Sequence, residues 1–505
     1  MPTLLERLAA YEPFTAMVVG DFMLDQYVYG AAERLSPEAP VPILHATRFE
    51  DHAGGAANVA LCLRALKADV LCFGVVGADH EAQILRDALA EAGCGVEGLL
   101  EDASRPTTIK RSMIGLAQHR HPQKMFRVDL EVRDPLGEDL AERLLELITA
   151  RLDEVDIVCL EDCDKGVCCA ALCQQLIERC RAGSKPFVVD PAAIADYSKY
   201  RGATAITPNR SEAELATGLG TPIEASQIHN AGLAAKLLTD LDLEAVVLTL
   251  DRQGALLHER GRDPVLVPTS ARSVYDVTGA GDMVLAALAG AVANRFNWND
   301  AVRFANAGAG LAVEVFGAQP IPFANVQRAV LAETRSLDGK VRSLQELLVE
   351  LAVHRQAGHK IVFTNGCFDL IHAGHVAYLA EAKQLGDVLV VAVNSDEQVR
   401  RLKGEGRPVC NEPQRLEVLS ALQFVDYVIV FGEPTPHEIL RRLKPDLLVK
   451  GGDYSPQDVL GGEVVEQYGG AIRVVAHRPG LSSSRLIQRF AQAGAAADLA
   501  MPSPD

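Results

Sequence analysis

The segment Asp276-Val277-Thr278-Gly279-Ala280-Gly281-Asp282 stands directly before an apolar, Ala-rich run that begins at Met283. Gly279 and Gly281 let backbone amides converge at the start of a helix, where the helix dipole favours an anion. Asp282 at the same end can take a proton from an attacking hydroxyl, so the spacing predicts phosphoryl transfer. The plainer alternative is a Gly-rich turn with an Asp in the first turn of a helix. Gly54-Gly55-Ala56-Ala57-Asn58 precedes another Ala/Leu-rich helix. It allows close backbone approach to a polyol with Asn58 as a hydrogen-bonding side chain, or else is a packing turn. Asn209-Arg210-Ser211-Glu212 follows the Thr207-Pro208 break. An Asn and a Glu at that spacing can hold the water shell of Mg²⁺ beside nucleotide phosphates, or can simply cap a helix.

A second group lies far downstream. After the apolar run Ile361 to Thr364 comes Asn365-Gly366-Cys367-Phe368-Asp369-Leu370-Ile371-His372-Ala373-Gly374-His375, which opens a helix. His372 and His375 fall on one face at its N-terminus and can donate to the phosphates of a nucleoside triphosphate. Zinc is the competing reading, but no third ligand follows at suitable spacing, and no zinc is expected. Lys450-Gly451-Gly452-Asp453 follows another strand, and Leu481-Ser482-Ser483-Ser484-Arg485 offers hydroxyl donors at the start of a final helix. Taken singly, these are a turn and a cap.

The elements that must position these groups alternate between short Val/Ile/Leu runs and longer Ala-rich segments, the pattern of strand-helix-strand units and mainly parallel sheets. Strands are expected at Met17 to Val19, Val70 to Val76, Ile157 to Leu160, Phe187 to Val189 and Ala245 to Leu250. After a break they resume at Ile361 to Thr364, Val388 to Val393, Tyr427 to Phe431, Leu447 to Val449 and Ile472 to Val475. That makes two α/β domains. The Pro-bearing and then charged stretch from Gln319 to Arg342 separates them, and Ser343 is placed to cap the next helix. The expected division is a domain over 1–330, a linker over 331–345, a second, smaller domain over 346–492 and a tail without apolar periodicity over 493–505.

Forty-nine basic against 67 acidic residues give a net charge of -18 in 505 residues. That balance argues against nucleic acid and anionic membranes as general partners and leaves small anionic substrates held by local devices. The eleven cysteines are odd in number and scattered. With no signal-like N-terminus and no apolar run of about 18 residues, this points to a reducing, cytoplasmic setting. The dense group Cys159, Cys163, Cys168, Cys169, Cys173 and Cys180 has no CxxC pair and reads as buried thiols rather than a metal site.

In this order and spacing, the first set of motifs resembles the ribokinase (PfkB) family of carbohydrate kinases. The resemblance implies a ribokinase-like fold with Asp282 as catalytic base and Gly279, Ala280 and Gly281 as an anion hole. It implies nucleotide and Mg²⁺ elements at Asn209, Arg210, Ser211 and Glu212, with Thr249, Gly254 and Asn306 around the nucleotide. Sugar contacts would come from Asp21, Asp25, Gly54, Gly55 and Asn58. The second set resembles the cytidylyltransferase-like nucleotidyltransferases, with their HxGH motif on a Rossmann-like fold. That likeness implies attack of a sugar phosphate on the α-phosphorus of a nucleoside triphosphate, stabilised by His372 and His375. Further phosphate contacts would come from Cys367, Phe368, Asp369, Lys403, Arg407, Lys450, Ser482, Ser483 and Ser484.

A fusion of these two types is similar to the bifunctional heptose-activating enzymes of Gram-negative bacteria. The likeness implies ATP as substrate of both heads, Mg²⁺ as cofactor, phosphosugars as partners and a homodimer. It further implies O1 phosphorylation of heptose 7-phosphate and adenylyl transfer to heptose 1-phosphate, supplying a lipopolysaccharide core precursor. Another phosphosugar, or CTP in the second head, is the alternative.

Overall fold

The computed structural model describes residues 4–116, 122–220, 226–269, 274–452 and 455–475. They fall into two compact units, one spanning Tyr11–Val330 and one running from Leu331 onward. The helix Leu4–Ala9 clusters with the second unit and buries Leu4, Leu5 and Leu8. Most of the segment expected as a linker is helical, because the helix Phe323–Asp338 runs into it and the helix Leu344–Gln356 begins within it. Ser343 then caps the helix Leu344–Gln356 in a reciprocal capping box with Glu346.

The first unit holds strands β1 (Phe14–Gly20), β2 (Phe22–Leu35), β3 (Pro42–Gly55), β4 (Ala68–Val76), β5 (Gly95–Glu101), β6 (Thr108–Gly115) and β7 (Gln123–Leu130). They are followed by β8 (Ile157–Glu161), β9 (Phe187–Asp190), β10 (Ala205–Ile206), β11 (Ala245–Thr249), β12 (Ala255–Glu259) and β13 (Val265–Val267). Nine of these form one sheet in the order β13-β12-β11-β10-β9-β8-β1-β4-β5, parallel except where β12 pairs with its two neighbours. Runs such as Ala16 to Val19 are buried at every position, as expected of strands covered on both faces. The chain leaves β1 towards β4 and returns through β8 on the other side. Groups at the carboxyl ends of β1 and β8 therefore flank a switch point, where α/β sheets bind ligands.

The other four strands form a separate sheet, β3-β2-β6-β7, which has no counterpart among the strands expected from the sequence. β2 and β3 are 14 residues long and antiparallel, and β7 is exposed along nearly its whole length. Their mixed polar and apolar sequence lacks the continuous Val/Ile/Leu signal of a core strand; in this unit that signal marks β1, β4, β8, β9 and β11, and misses β5, β10, β12 and β13 of the core sheet.

The second unit is a five-stranded, all-parallel sheet. Its strands are β14 (Ile361–Gly366), β15 (Val388–Asn394), β16 (Tyr427–Phe431), β17 (Leu447–Gly451) and β18 (Ala471–Val475), in the order β16-β15-β14-β17-β18. The five strands expected here all occur, with ends shifted by up to two residues. Here the switch point lies between β14 and β17, at the ends carrying Gly366 and Gly451.

Candidate active sites

In the first unit Gly279 caps the helix Ala280–Ala293 in the left-handed region, φ 80°. A Cβ at Gly279 would lie 2.9 Å from that of Ala318, so the turn depends on glycine. Asp282 sits in the first turn of this helix and accepts a hydrogen bond from Asn58 Nδ2 at 2.5 Å. Burial raises the Asp282 carboxyl to about 6; the Asn58 bond opposes the shift, Asp25 adds to it and Lys110 opposes it. Asn58 lies in the helix Ala56–Ala65, which starts directly after Gly55. The structure thus brings together the loop of Gly54 to Asn58 and the Gly279 to Asp282 helix end.

Asp25, on β2, faces the same site. A Cβ on Gly54 would come within 2.7 Å of its carboxylate, so Gly54 makes room for it. Burial raises the Asp25 pKa, while Lys110, Arg127, His52 and Lys124 act to lower it. Asp21 is a correction. Its carboxylate accepts from the backbone amides of Cys163, Lys165 and Val167 and is 1% exposed, so it anchors the loop after β8 instead of offering acceptors to a sugar. The sequence does not distinguish the two aspartates, because the amides that occupy Asp21 lie about 140 residues away.

On the opposite side of the core sheet's switch, Asn209 and Glu212 form a capping box for the helix Arg210–Thr217, each bonding the other's backbone amide. Glu212 uses only its Oε2 there. Arg210 and Ser211 are the first two residues of this helix. Thr249 bridges in parallel to Asn209, and its amide donates to Pro208 O. Gly254, at φ 94°, lies where a Cβ would meet Val267 O at 2.3 Å, and Asn306 Nδ2 holds that same carbonyl. Gly254 and Asn306 therefore fix β13.

Glu161, Asp190 and Asp282 bring carboxylate oxygens within 4.8 Å of one another. Burial and mutual repulsion push Glu161 and Asp190 far above the usual carboxylate range. Asp21, Asp162 and Cys168 form a similar group, but Asp162 is taken by Tyr200 and Lys199, and Asp21 by the backbone. That donor set suits a closed structural network rather than a metal ion. Among the described residues every cysteine is a free thiol.

In the second unit, His372 caps the helix Ala373–Lys383, its Nδ1 accepting from the Gly374 amide. The His372 and His375 rings stack with centroids 4.0 Å apart. A cavity of about 850 Å³ opens beside them, lined by Cys367, His375, Tyr378, Lys403, Lys450 and Leu460 among others. Lys450 donates to Asn365 O, and burial lowers its pKa to about 8.

Phe368 and Asp369 also line this cavity. The Phe368 side chain is 5% exposed and packs in the core beside Leu379 and Val391. Asp369 is 1% exposed and accepts from Arg407 Nη1 and the Val409 amide. Asp369 thereby tethers the loop that follows Lys403, with Arg407 as the other half of the tether. Arg415, not singled out in the sequence, is fully buried and holds Cys367 O and Asp396. Nothing in its local sequence marks it, since its partners lie on other elements. Ser482, Ser483, Ser484 and Asp453 lie outside the described residues, as does the final helix expected there.

Fold and sites together define a carbohydrate kinase joined to a nucleotidyltransferase. The profile of pfkB family carbohydrate kinases matches residues 14–324, and that of cytidylyltransferase-like proteins matches residues 363–489. A protein of Geobacter sulfurreducens named "Bifunctional protein HldE" is 43% identical over 95% of this chain and 96% of its own length. Namesakes in Geobacter metallireducens and Pelobacter propionicus are 43% and 41% identical over 97% and 94% of the chain. The chain belongs to this family of bifunctional HldE proteins. Among solved structures, Arabidopsis thaliana ribokinase complexed with ribose and ATP aligns with TM-score 0.50 at 21% identity. It covers 63% of this chain and 99% of that one. Escherichia coli phosphofructokinase-2 aligns with TM-score 0.52 at 17% identity, over 64% of this chain and 99% of that one. These two likenesses concern the fold of the first unit.

Proposed function

We propose that the first unit transfers the γ-phosphoryl group of ATP to O1 of heptose 7-phosphate, and that the second transfers the adenylyl group of ATP to heptose 1-phosphate. The observation that carries the first half is the Asn58–Asp282 pair at the Gly279-capped helix end. Asp282 takes the proton of the acceptor hydroxyl as that oxygen bonds to the γ-phosphorus; the bond from phosphorus to the β-γ bridging oxygen breaks and ADP leaves. The amides of Gly279, Ala280 and Gly281 face the charge on the transferring group. Asp25, Gly54, Gly55 and Asn58 hold the sugar.

Mg²⁺ fits the nucleotide side, where Asn209 is exposed and Glu212 Oε1 stands outside the capping bonds, close enough to Asp190 to raise its pKa. Bound there, it would supply positive charge to the nucleotide phosphates. Thr249 flanks Asn209.

In the second unit the attacking sugar phosphate is already ionised, so no protein base is needed. His372, His375, Lys403, Lys450 and Ser482 to Ser484 position the triphosphate and take up charge as pyrophosphate departs. The lining of the cavity by Lys403 and Lys450 supports this reading.

A homodimer is supported by the outer face of the β3-β2-β6-β7 sheet. Phe49, Val28, Met113 and Phe126 lie in one cross-strand row there, and Phe49, Phe126, Val128 and Leu130 are all about half exposed or more. No helix among the described residues is long and apolar enough to cross a membrane. Free thiols and ATP chemistry fit a cytoplasmic setting.

The test is to give the purified protein heptose 7-phosphate and then heptose 1-phosphate, each with ATP or CTP, and to follow ADP and pyrophosphate release. Neither product with ATP would sink the assignment, and pyrophosphate release with CTP alone would reassign the second nucleotide. Chelation of Mg²⁺ should abolish the kinase reaction, and its re-addition should restore it.

A further inference from the structure

The inner face of the β3-β2-β6-β7 sheet carries three cations towards the kinase site. Lys110 stands directly beside Asp25 in the parallel pairing of β2 with β6, and Ser112 pairs with Arg127 two residues further along. Arg127 is held by both carboxylate oxygens of Asp129, at 2.7 and 2.8 Å. Lys124 is bound to Asp276 and Thr278 in the turn that leads into the Gly279 helix end. Lys110 alone of the three makes no hydrogen bond or ion pair among the described residues, although it is partly buried. Its ammonium donors are therefore open to an incoming anion, while the carboxylates around it favour its charged form.

Its surroundings say which anion. Lys110 acts electrostatically on Asp25, Glu161 and Asp282, which span the sugar contacts and the proposed base. Glu212, on the nucleotide side, responds only to burial and to Asn209. Lys110, beside Asp25 on the neighbouring strand and within electrostatic reach of Asp282, therefore belongs to the acceptor side of the reaction centre.

We infer that Lys110 is a further catalytic residue of the kinase reaction, whose ammonium binds the non-bridging oxygens of the transferring phosphoryl group from the side opposite the Gly279 to Gly281 amides. The sheet that carries it then does more than cover the sugar, because it supplies one wall of the charge-stabilising shell. Lys110 also helps to keep Asp282 ionised, against the burial and the Asp25 charge that raise its pKa. The inference rests on the kinase reading of this site.

Lys110→Met and Lys110→Arg in the full-length protein test it, with thermal unfolding of the first unit as the control for folding and adenylyl transfer as the control for the amount of protein. Lys110→Met should lower kinase kcat by about 10² to 10³-fold, the cost of losing one charge-stabilising donor, with KM for the sugar phosphate nearly unchanged. Its acid pH limb should move to higher pH. Lys110→Arg should recover most of the rate. A kcat within about threefold of wild type overturns the inference. So does a loss confined to KM, which would place the ammonium on the phosphate the sugar already carries. If the Met variant does not fold, Lys110→Gln is read by the same criteria. Turnover by the wild-type protein tests the kinase reading itself, and the ratio of variant to wild type tests Lys110 separately.

Discussion

Asn58 and Asp282, 224 residues apart in sequence, meet at 2.5 Å across the mouth of the core sheet. The bond joins the glycine loop after β3 to the helix end after Gly279. It restrains the Asp282 rotamer and partly offsets the burial that raises its pKa to about 6. Kinase kcat/KM should therefore fall as pH drops below about 6, where the base is protonated. Asn58→Ala should move that limb to higher pH. A limb that stays in place would show that Asp282 is not the titrating base.

Asp282→Asn should lower the kinase rate by about 10² to 10⁴-fold, the usual worth of a general base. It should also stabilise the protein at neutral pH, because a carboxyl whose folded pKa exceeds its unfolded value loses stability as pH rises between the two. For Asp282 that window runs from 3.8 to about 6 and is worth at most about 3 kcal/mol. Thermal unfolding of wild type and variant at pH 4 and pH 7 checks the sign, and the difference should grow at the higher pH.

The second head has its own handle. His375→Ala should lower adenylyl transfer by about 10² to 10³-fold and leave phosphoryl transfer unchanged. Conversely, Asp282→Asn should spare adenylyl transfer. If either substitution removes both activities from a folded protein, the two heads are coupled.

Burial of Lys450 sets an alkaline limit for that head. With its pKa lowered to about 8, the ammonium is present below that pH and is lost above it. KM for ATP in adenylyl transfer should climb above about pH 8, and Lys450→Met should flatten this dependence at a uniformly high KM. A wild-type KM constant to pH 9.5 would remove Lys450 from the phosphate site.

Asp369→Ala should leave Arg407 without its buried partner and free the Val409 amide. Breaking such a pair costs about 3 kcal/mol or more. Denaturant unfolding of the second unit should show that loss, and adenylyl transfer should weaken with it while the kinase rate holds. Wild-type stability in this variant would mean that the tether does not hold the loop.

The sequence by itself determined the elements whose signal is local. Continuous apolar runs marked the second sheet and five of the nine strands of the first, since strands buried on both faces must be apolar throughout. Glycines beside an acid marked the Asp282 helix end, and HxGH marked the second head. Ser343 and Asn209 were legible as helix caps because a cap involves only its next three residues.

Only the tertiary structure decided what depended on distant partners. Asp21 and Asp25 look alike four residues apart, yet one is consumed by amides after β8 and the other faces the site. Asp369 reads as part of a phosphate motif until Arg407, 38 residues on, takes its carboxylate. The β3-β2-β6-β7 sheet, and with it Lys110, left no core-strand pattern, because strands that are half exposed and carry charge on the inner face do not need one. A side chain's role follows from what neutralises it, and those neighbours are set by the fold, not by spacing along the chain.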